Sequence, residues 1–361
     1  MTKQPNMSAS KRLTARGTVW ARLTVIGVTL SLFAFFWPAT PCLAERTSAP
    51  QRKVVKDTPK QKPHAKPGAR KLHKKAQKRP SPGVEAKAVY CVDVKHKKIL
   101  LARNADKRLP IASLSKLVTA MVTLDHMPLS RKVKVPQNIN RVPKSVVGLL
   151  PGDVVTVRDL LHGLLMRSGN DCAETLASAY PGGRSAFIKA MNVKVRRLGA
   201  KHTVFYTPSG LDSKRALTKD GKKSVQVRSN VSTAREIARI ARSAFSNKTI
   251  RSICGKKSYV IAGKKKKHGY RVTTTNKLLR TNLPVVVGKT GYTNRAGHCL
   301  ASAFTPGKNL FLIVVLGSPD HFRDTRLVYR KALKKVREHD KASTRRVESN
   351  EPRPKLAFHR K

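Results

Sequence analysis

Three apolar runs in the C-terminal third of the chain constrain its fold most strongly. They read LPVVVGKTGYT (283–293), GHCLASAFT (297–305) and NLFLIVVLGS (309–318). Each has the length and the β-branched composition of a strand, and short polar connectors join them. Such connectors favour antiparallel pairing, because parallel strands need a long crossover. The pattern predicts an antiparallel sheet with the first run at its edge.

The other end of the folded segment also supplies strands, and helical patterns lie between the two sets. KAVYCVDVKHKKILLARN (87–104) is typical of a β-hairpin. A helix is predicted to begin near Ser113, another after a cap at Thr156, and a third after a capping box of Thr233 and Glu236. A last helix is predicted at about 321–338. This order predicts an α+β fold in which helices flank an antiparallel sheet and a mostly helical subdomain is inserted between its N- and C-terminal strands.

The N-terminus is typical of a secretory signal peptide. Basic residues precede the apolar run LTVIGVTLSLFAFFW, and small residues follow it up to Ala44. The apolar run is shorter than the ~20 residues that a membrane span needs, so an uncleaved anchor is the weaker interpretation. We therefore predict export to the periplasm, with a signal peptide at 1–44 that is cleaved near Ala44.

Charge divides the rest of the chain into three parts. The formal net charge is +57, and residues 46–80 hold thirteen Lys or Arg against one Asp, with five Pro. Such a segment buries too little apolar surface to fold alone. We predict a basic, Pro-rich, disordered linker at 45–84, a folded domain at 85–338 and a disordered basic tail at 339–361. The basic segments suggest binding to an anionic envelope polymer, whereas solubility is the simpler explanation.

Four cysteines follow the predicted cleavage site: Cys91, Cys172, Cys254 and Cys299. An exported protein can form disulfides, and four cysteines permit three pairings, but buried free thiols are equally compatible with the sequence. The cysteines are far apart and no histidine stands at ligand spacing, so a metal site is not expected.

Three short motifs occur in order inside the predicted domain. Ser113 and Lys116 form S-x-x-K, Ser168 and Asn170 form the only S-x-N of the chain, and residues 289–291 form its only K-T-G. Each motif alone is weak, because a helix cap, a turn and an exposed strand charge would explain them separately. The ordered set is typical of penicillin-binding proteins and class A β-lactamases.

With these motifs the sequence resembles the low-molecular-mass penicillin-binding proteins, serine D-alanyl-D-alanine peptidases that trim peptidoglycan. The resemblance covers about residues 85–335, and NVSTAREIARI and LPVVVGKTGYTNRAGHCLASA are most similar to the endopeptidase branch. It implies a β-lactamase/DD-peptidase-like fold, peptidoglycan peptides as substrate, β-lactams as inhibitors and no cofactor.

The resemblance and the chemistry together imply a role for each motif residue. Ser113 is the expected nucleophile and Lys116 its base, activated by burial and by nearby positive charge. Ser168 is expected to pass a proton to the leaving amine, and Asn170 to orient the substrate amide. The remaining expected roles are carboxylate binding by Lys289 and Thr290, close approach of the substrate backbone at Gly291, and an oxyanion hole made by the N–H groups of Ser113 and Tyr292.

Three other functions compete with an endopeptidase. A carboxypeptidase that removes terminal D-Ala is the nearest, although only about forty residues, mostly polar and charged, follow the last strand, where such enzymes often carry a further domain. A β-lactamase is disfavoured, because no E-x-x-L-N segment follows Asn170. A non-enzymatic polyanion binder remains, but nucleic acid is not an expected partner, since aromatic residues make up only 5% of the chain and form no stacking cluster.

Overall fold

A computed structural model describes residues 83–143, 145–219, 222–263, 265 and 269–350. The predicted signal peptide, almost all of the predicted linker and the last eleven residues lie outside these ranges. The described residues belong to one compact unit. None of the described helices is long and apolar enough to cross a membrane.

Every strand pair in the described chain is antiparallel. The strands are β1 (Ala88–Asp93), β2 (Lys98–Arg103), β3 (Leu109–Pro110), β4 (Lys132–Lys134), β5 (Val154–Thr156), β6 (Ser213–Lys219), β7 (Lys222–Arg228), β8 (Val231–Ser232), β9 (Ser258–Ile261), β10 (Tyr270–Thr273), β11 (Val285–Thr293), β12 (Gly297–Phe304) and β13 (Phe311–Ser318). The central sheet has the order β11-β12-β13-β1-β2. The N-terminal hairpin, the three closing strands and the edge position of β11 are thus confirmed.

The described chain has seven α-helices, and all but the last lie in the long connection between β2 and β11. They are α1 (Lys116–His126), α2 (Val157–His162), α3 (Asn170–Ser178), α4 (Gly183–Arg197), α5 (Ala234–Ser246), α6 (Lys248–Gly255) and α7 (His321–Asn350). The first six come from the predicted helical insertion, and α7 follows the last strand. The predicted α+β architecture is confirmed, because strands from both ends of the domain share one sheet.

The central sheet has an apolar core on each face, which explains the uninterrupted apolar run of its inner strand β13. On β13, Leu312, Val314 and Leu316 join the larger core with the inserted helices. Ile313 and Val315 point the other way and pack with the apolar side of α7. Because successive side chains of a strand alternate between faces, a run buried on both sides carries no polar positions. Burying each such side chain stabilises the fold by roughly 1.5–3 kcal/mol.

Both predicted helix caps form. The side chain of Thr156 accepts a hydrogen bond from the backbone N–H of Asp159 at the start of α2, and Thr233 does the same for Glu236 at the start of α5. The Glu236 carboxylate is placed differently from the capping-box prediction. It accepts hydrogen bonds from the N–H of His202 and the hydroxyl of Thr203, and so ties α5 to a distant loop.

The prediction for the C-terminal helix was wrong in its end point. Helix α7 continues past 338 to Asn350, so the first half of the segment predicted as a disordered tail is helical. No Gly or Pro interrupts this part of the sequence before Pro352. Lys334 and Glu338 also form an i,i+4 ion pair with an N–O distance of 3.7 Å, an arrangement that supports helix.

The four cysteines Cys91, Cys172, Cys254 and Cys299 are buried free thiols. Burial raises the pKa of the Cys91, Cys254 and Cys299 thiols to about 12 and that of Cys172 in the same direction. They are therefore un-ionised side chains of the core at neutral pH.

Candidate active site

Ser113 lies in a single 3-10 turn, Ala112–Ser115, which leads directly into α1. Ala112 has a φ of +47°, in the left-handed region that few residues other than glycine adopt. Gly210, with a φ of +86°, packs against this turn, and a Cβ there would lie 2.0 Å from the Ala112 carbonyl oxygen. Only glycine fits, so Gly210 sets how closely its loop approaches Ser113.

Lys116 connects the nucleophile candidate to two other parts of the chain. Its Nζ lies 2.9 Å from Oγ of Ser113. It also lies 2.7 Å from Oδ1 of Asn170 and 2.6 Å from the carbonyl oxygen of Ser209. The side chain is fully buried, and burial, followed by the positive charge of Lys289, lowers the pKa of Lys116 well below its usual value.

The three partners of Lys116 differ in what they can do. The Asn170 and Ser209 oxygens can only accept, whereas the Ser113 hydroxyl can also donate. A neutral amine has two N–H groups and one lone pair. When the two oxygens take both N–H groups, the lone pair is left for the hydroxyl proton of Ser113. The geometry therefore suits proton removal from Ser113.

Lys289 contacts Ser168, the first residue of the S-x-N motif. From β11 its Nζ donates to Oγ of Ser168 at 2.8 Å and to the carbonyl oxygen of Thr290 at 2.7 Å. Ser168 lies between the helical turn Gly163–Arg167 and α3, and its backbone angles are left-handed. This backbone conformation directs the hydroxyl of Ser168 into the cleft. Burial lowers the pKa of Lys289 to about 7. The two buried lysines, Lys116 and Lys289, thus form hydrogen bonds with three motif side chains, those of Ser113, Asn170 and Ser168.

The K-T-G segment of β11 runs beside Ser113. A Cβ on Gly291 would lie 3.0 Å from the backbone nitrogen of Ser113, so the glycine permits this close approach. Oγ1 of Thr290 lies 2.5 Å from Oγ1 of Thr275, which places two hydroxyl groups at the same point of the cleft. Because β11 is an edge strand of the central sheet, it can pair with an extended substrate.

These groups open onto one cleft of about 380 Å³. Its lining includes six of the eight predicted site residues: Ser113, Ser168, Asn170, Thr290, Gly291 and Tyr292. The other two, Lys116 and Lys289, are buried behind it and contact Ser113 and Ser168. The structure therefore brings all eight together.

The lining or supporting residues that were not predicted from the sequence include Ser209, Gly210, Thr275 and His321. Ser209 and Gly210 belong to the segment TPSGL, which contains none of the three motifs. Thr275 stands in VTTTN and His321 at the start of α7, where no local signal distinguishes them.

The chain is similar in sequence to proteins of known activity. A family model described as D-alanyl-D-alanine carboxypeptidase (peptidase S11) matches residues 73–320. The D-alanyl-D-alanine endopeptidase of Pseudomonas aeruginosa is 34% identical over 237 residues, which are 64% of this chain and 72% of the relative. The enzyme of the same name from Escherichia coli is 34% identical over 251 residues, which are 67% of this chain and 76% of the relative.

Solved structures show the same similarity. A D-alanyl-D-alanine carboxypeptidase from Mycobacterium tuberculosis superposes with a TM-score of 0.62 at 29% identity, covering 72% of this chain and 95% of that one. Penicillin-binding protein D2 from Listeria monocytogenes, solved with ampicillin bound, gives a TM-score of 0.58 at 28% identity and covers 71% of this chain and 100% of the other.

Proposed function

Because the chain belongs to the D-alanyl-D-alanine carboxypeptidase family, the serine DD-peptidases of family S11, it is a hydrolase, and we propose that it cuts the crosslinks of peptidoglycan as an endopeptidase. The observation that carries the proposal is the contact of Lys116 Nζ with Ser113 Oγ at 2.9 Å, at the wall of the cleft that Ser168, Asn170 and Thr290 also line. The two endopeptidases at 34% identity favour crosslinks as the substrate.

In the first step Lys116 takes the hydroxyl proton of Ser113, and Oγ attacks the carbonyl carbon of the D-alanine in the scissile bond. The amine of that bond leaves, and a covalent acyl-enzyme remains. The N–H groups of Ser113 and Tyr292 stabilise the negative charge on the carbonyl oxygen. Support comes from the low pKa of Lys116 and from the proximity of Gly291 to the Ser113 nitrogen.

The leaving amine needs a proton, and we assign its delivery to Ser168, whose Oγ is bonded to Lys289. Asn170 orients the substrate amide, and Thr290 with Lys289 binds the carboxylate next to the scissile bond. Water then hydrolyses the acyl-enzyme. A β-lactam enters the same pathway because its ring carbonyl takes the place of the scissile carbonyl, so β-lactams are proposed inhibitors.

Digestion of purified crosslinked peptidoglycan, followed by mass spectrometry of the fragments, tests the endopeptidase proposal. We expect crosslinked dimers to disappear and monomers to accumulate, while Ser113→Ala leaves the material unchanged. A carboxypeptidase, the alternative favoured by the description of the family model, would instead shorten monomeric stems by one D-Ala and keep the dimers. That result would change the bond that the enzyme is proposed to cleave, from the crosslink to the terminal D-Ala-D-Ala bond, but it would leave the acyl-enzyme reaction unchanged.

The substrate lies outside the cytoplasmic membrane, so the proposal includes export by residues 1–44. It also assigns a function to the predicted basic linker, whose thirteen cationic residues supply no catalytic group. We propose that it binds an anionic polymer of the cell envelope and so raises the local enzyme concentration. Residues 1–44 and the cationic segment 46–80 lie outside the described residues, and their composition carries the proposal.

Binding to isolated sacculi at increasing salt concentration tests the linker. We expect a chain that starts at Pro82 to keep the penicillin acylation rate and to lose the salt-sensitive part of binding, because salt at 1 M shortens the Debye length to about 3 Å. A matched variant with Gln in place of every Lys and Arg of 46–80 keeps the length and should behave like the truncated chain. Unchanged low-salt binding by either variant would show that the linker serves solubility alone.

A further inference from the structure

A row of aromatic rings continues the cleft beyond the K-T-G segment. The ring centroids of Tyr292 and His298 are 4.5 Å apart, those of His298 and His321 are 5.0 Å apart, and those of His321 and Phe322 are 4.0 Å apart. All four side chains line the cleft that contains Ser113. The mechanism described above uses none of these rings.

His321 is the unusual member of the row. Its ring is only 8% exposed, and neither Nδ1 nor Nε2 has a hydrogen-bond partner among the described residues. Buried polar atoms are normally paired, since leaving one unpaired costs about 1–3 kcal/mol. Because His321 lines the cleft, a substrate bound there can supply the missing partner.

The charge state of His321 limits the kind of partner. Burial lowers the pKa of His321 to about 4, and the stacked ring of His298 acts in the same direction. The nearby charged groups are Asp320, which opposes this shift, and Lys277, which adds to it. At neutral pH the ring is therefore uncharged, with one N–H to donate and one nitrogen to accept. It suits a neutral polar group such as an amide.

The position of the row indicates which part of the substrate it meets. Thr290 and Tyr292 are two residues apart on β11, so their side chains share one face, and Tyr292 is paired with His298 on β12. The row therefore extends along the face that carries the hydroxyls of Thr290 and Thr275. The hydroxyl of Thr290 belongs to the proposed binding site for the carboxylate on the amine side of the scissile bond.

We propose that Tyr292, His298, His321 and Phe322 form a subsite for the side chain of the residue that supplies the scissile amine. The rings pack on a long methylene chain, and His321 bonds an amide at its end. This inference rests on the proposed acyl transfer at Ser113. In a crosslink the amine belongs to a diamino acid whose chain continues into a second stem peptide, whereas a terminal D-alanine offers only a methyl group.

Two synthetic peptides test this subsite in the full mature chain. One ends in D-Ala-D-Ala and the other in D-Ala-D-Lys with an acetylated Nε, which provides the long chain and the amide. We expect a higher kcat/KM for the lysine peptide, and we expect His321→Phe to lower that value about tenfold, the size of one ordinary hydrogen bond. His321→Phe should leave the D-Ala-D-Ala peptide and the penicillin acylation rate within twofold of wild type.

His321→Asn is the second variant. Asparagine retains a polar group that can bond an amide, so this variant should recover part of the preference for the lysine peptide over the D-Ala-D-Ala peptide. Equal kcat/KM values for the two peptides in the wild-type chain would overturn the subsite, and so would an unchanged preference in His321→Phe. Failure of the proposed acyl transfer at Ser113, on which this inference rests, is recognised separately, since it would abolish penicillin acylation of the wild-type chain itself. If His321→Phe lowered acylation and both peptides alike, the ring would be a structural support and the subsite would also be excluded.

Discussion

The Lys116→Ala variant is expected to lose acylation of Ser113 by penicillin and by peptides alike. Lys116 is the fully buried amine 2.9 Å from Ser113 Oγ, and its lowered pKa favours the neutral amine, the form that can accept a proton. General-base catalysis is typically worth about 10²- to 10⁴-fold in rate, and every substrate of the site needs it. Time-resolved labelling with a fluorescent penicillin measures the acylation rate directly.

Lys289→Ala is the matched control, because Lys289 is equally buried but contacts Ser168 rather than Ser113. Losing a hydrogen bond to a charged group typically costs about 1.5–3 kcal/mol, so we expect a roughly 10- to 150-fold loss and not abolition. The positive charge of Lys289 also lowers the pKa of Lys116. Removing the Lys289 charge should therefore raise the pKa of Lys116. The pH at which the acylation rate increases should then move to a higher value. Equal and complete loss in both variants would contradict this division of roles.

Local patterns were sufficient to predict the sheet and most helices. On β13 both faces are buried, so an uninterrupted apolar run appears in the sequence and could be recognised as a strand. The caps at Thr156 and Thr233 follow from short-range hydrogen bonds, which a sequence window contains. The K-T-G segment was placed at a sheet edge because three hairpin-connected strands leave few other arrangements.

The remaining features depend on contacts between distant segments. Ser209 accepts a hydrogen bond from Lys116 across 93 residues, and Gly210 is required by a backbone approach to Ala112. His321 faces the cleft because α7 starts beside the beginning of β12, an arrangement that no local pattern reports. The end of α7 was missed for a different reason: its polar last turns lack the apolar periodicity by which the helix was recognised.

The central claim is that Ser113 carries the acyl group, and peptide mapping of the penicillin adduct tests it most directly. Ser115 provides a matched control only two residues away. It is buried, and its Oγ donates to the Ala112 carbonyl at 2.7 Å and accepts from Asn230 at 3.0 Å. Ser113 instead opens onto the cleft and contacts Lys116.

Cleavage after Arg108 and Lys116 releases one peptide that contains both serines, so fragment spectra must locate the adduct within it. We predict that the penicilloyl mass lies on Ser113, that Ser113→Ala abolishes labelling, and that Ser115→Ala is still labelled. An adduct on Ser115 or on a serine elsewhere, or a labelled Ser113→Ala variant, would contradict the assignment of the nucleophile.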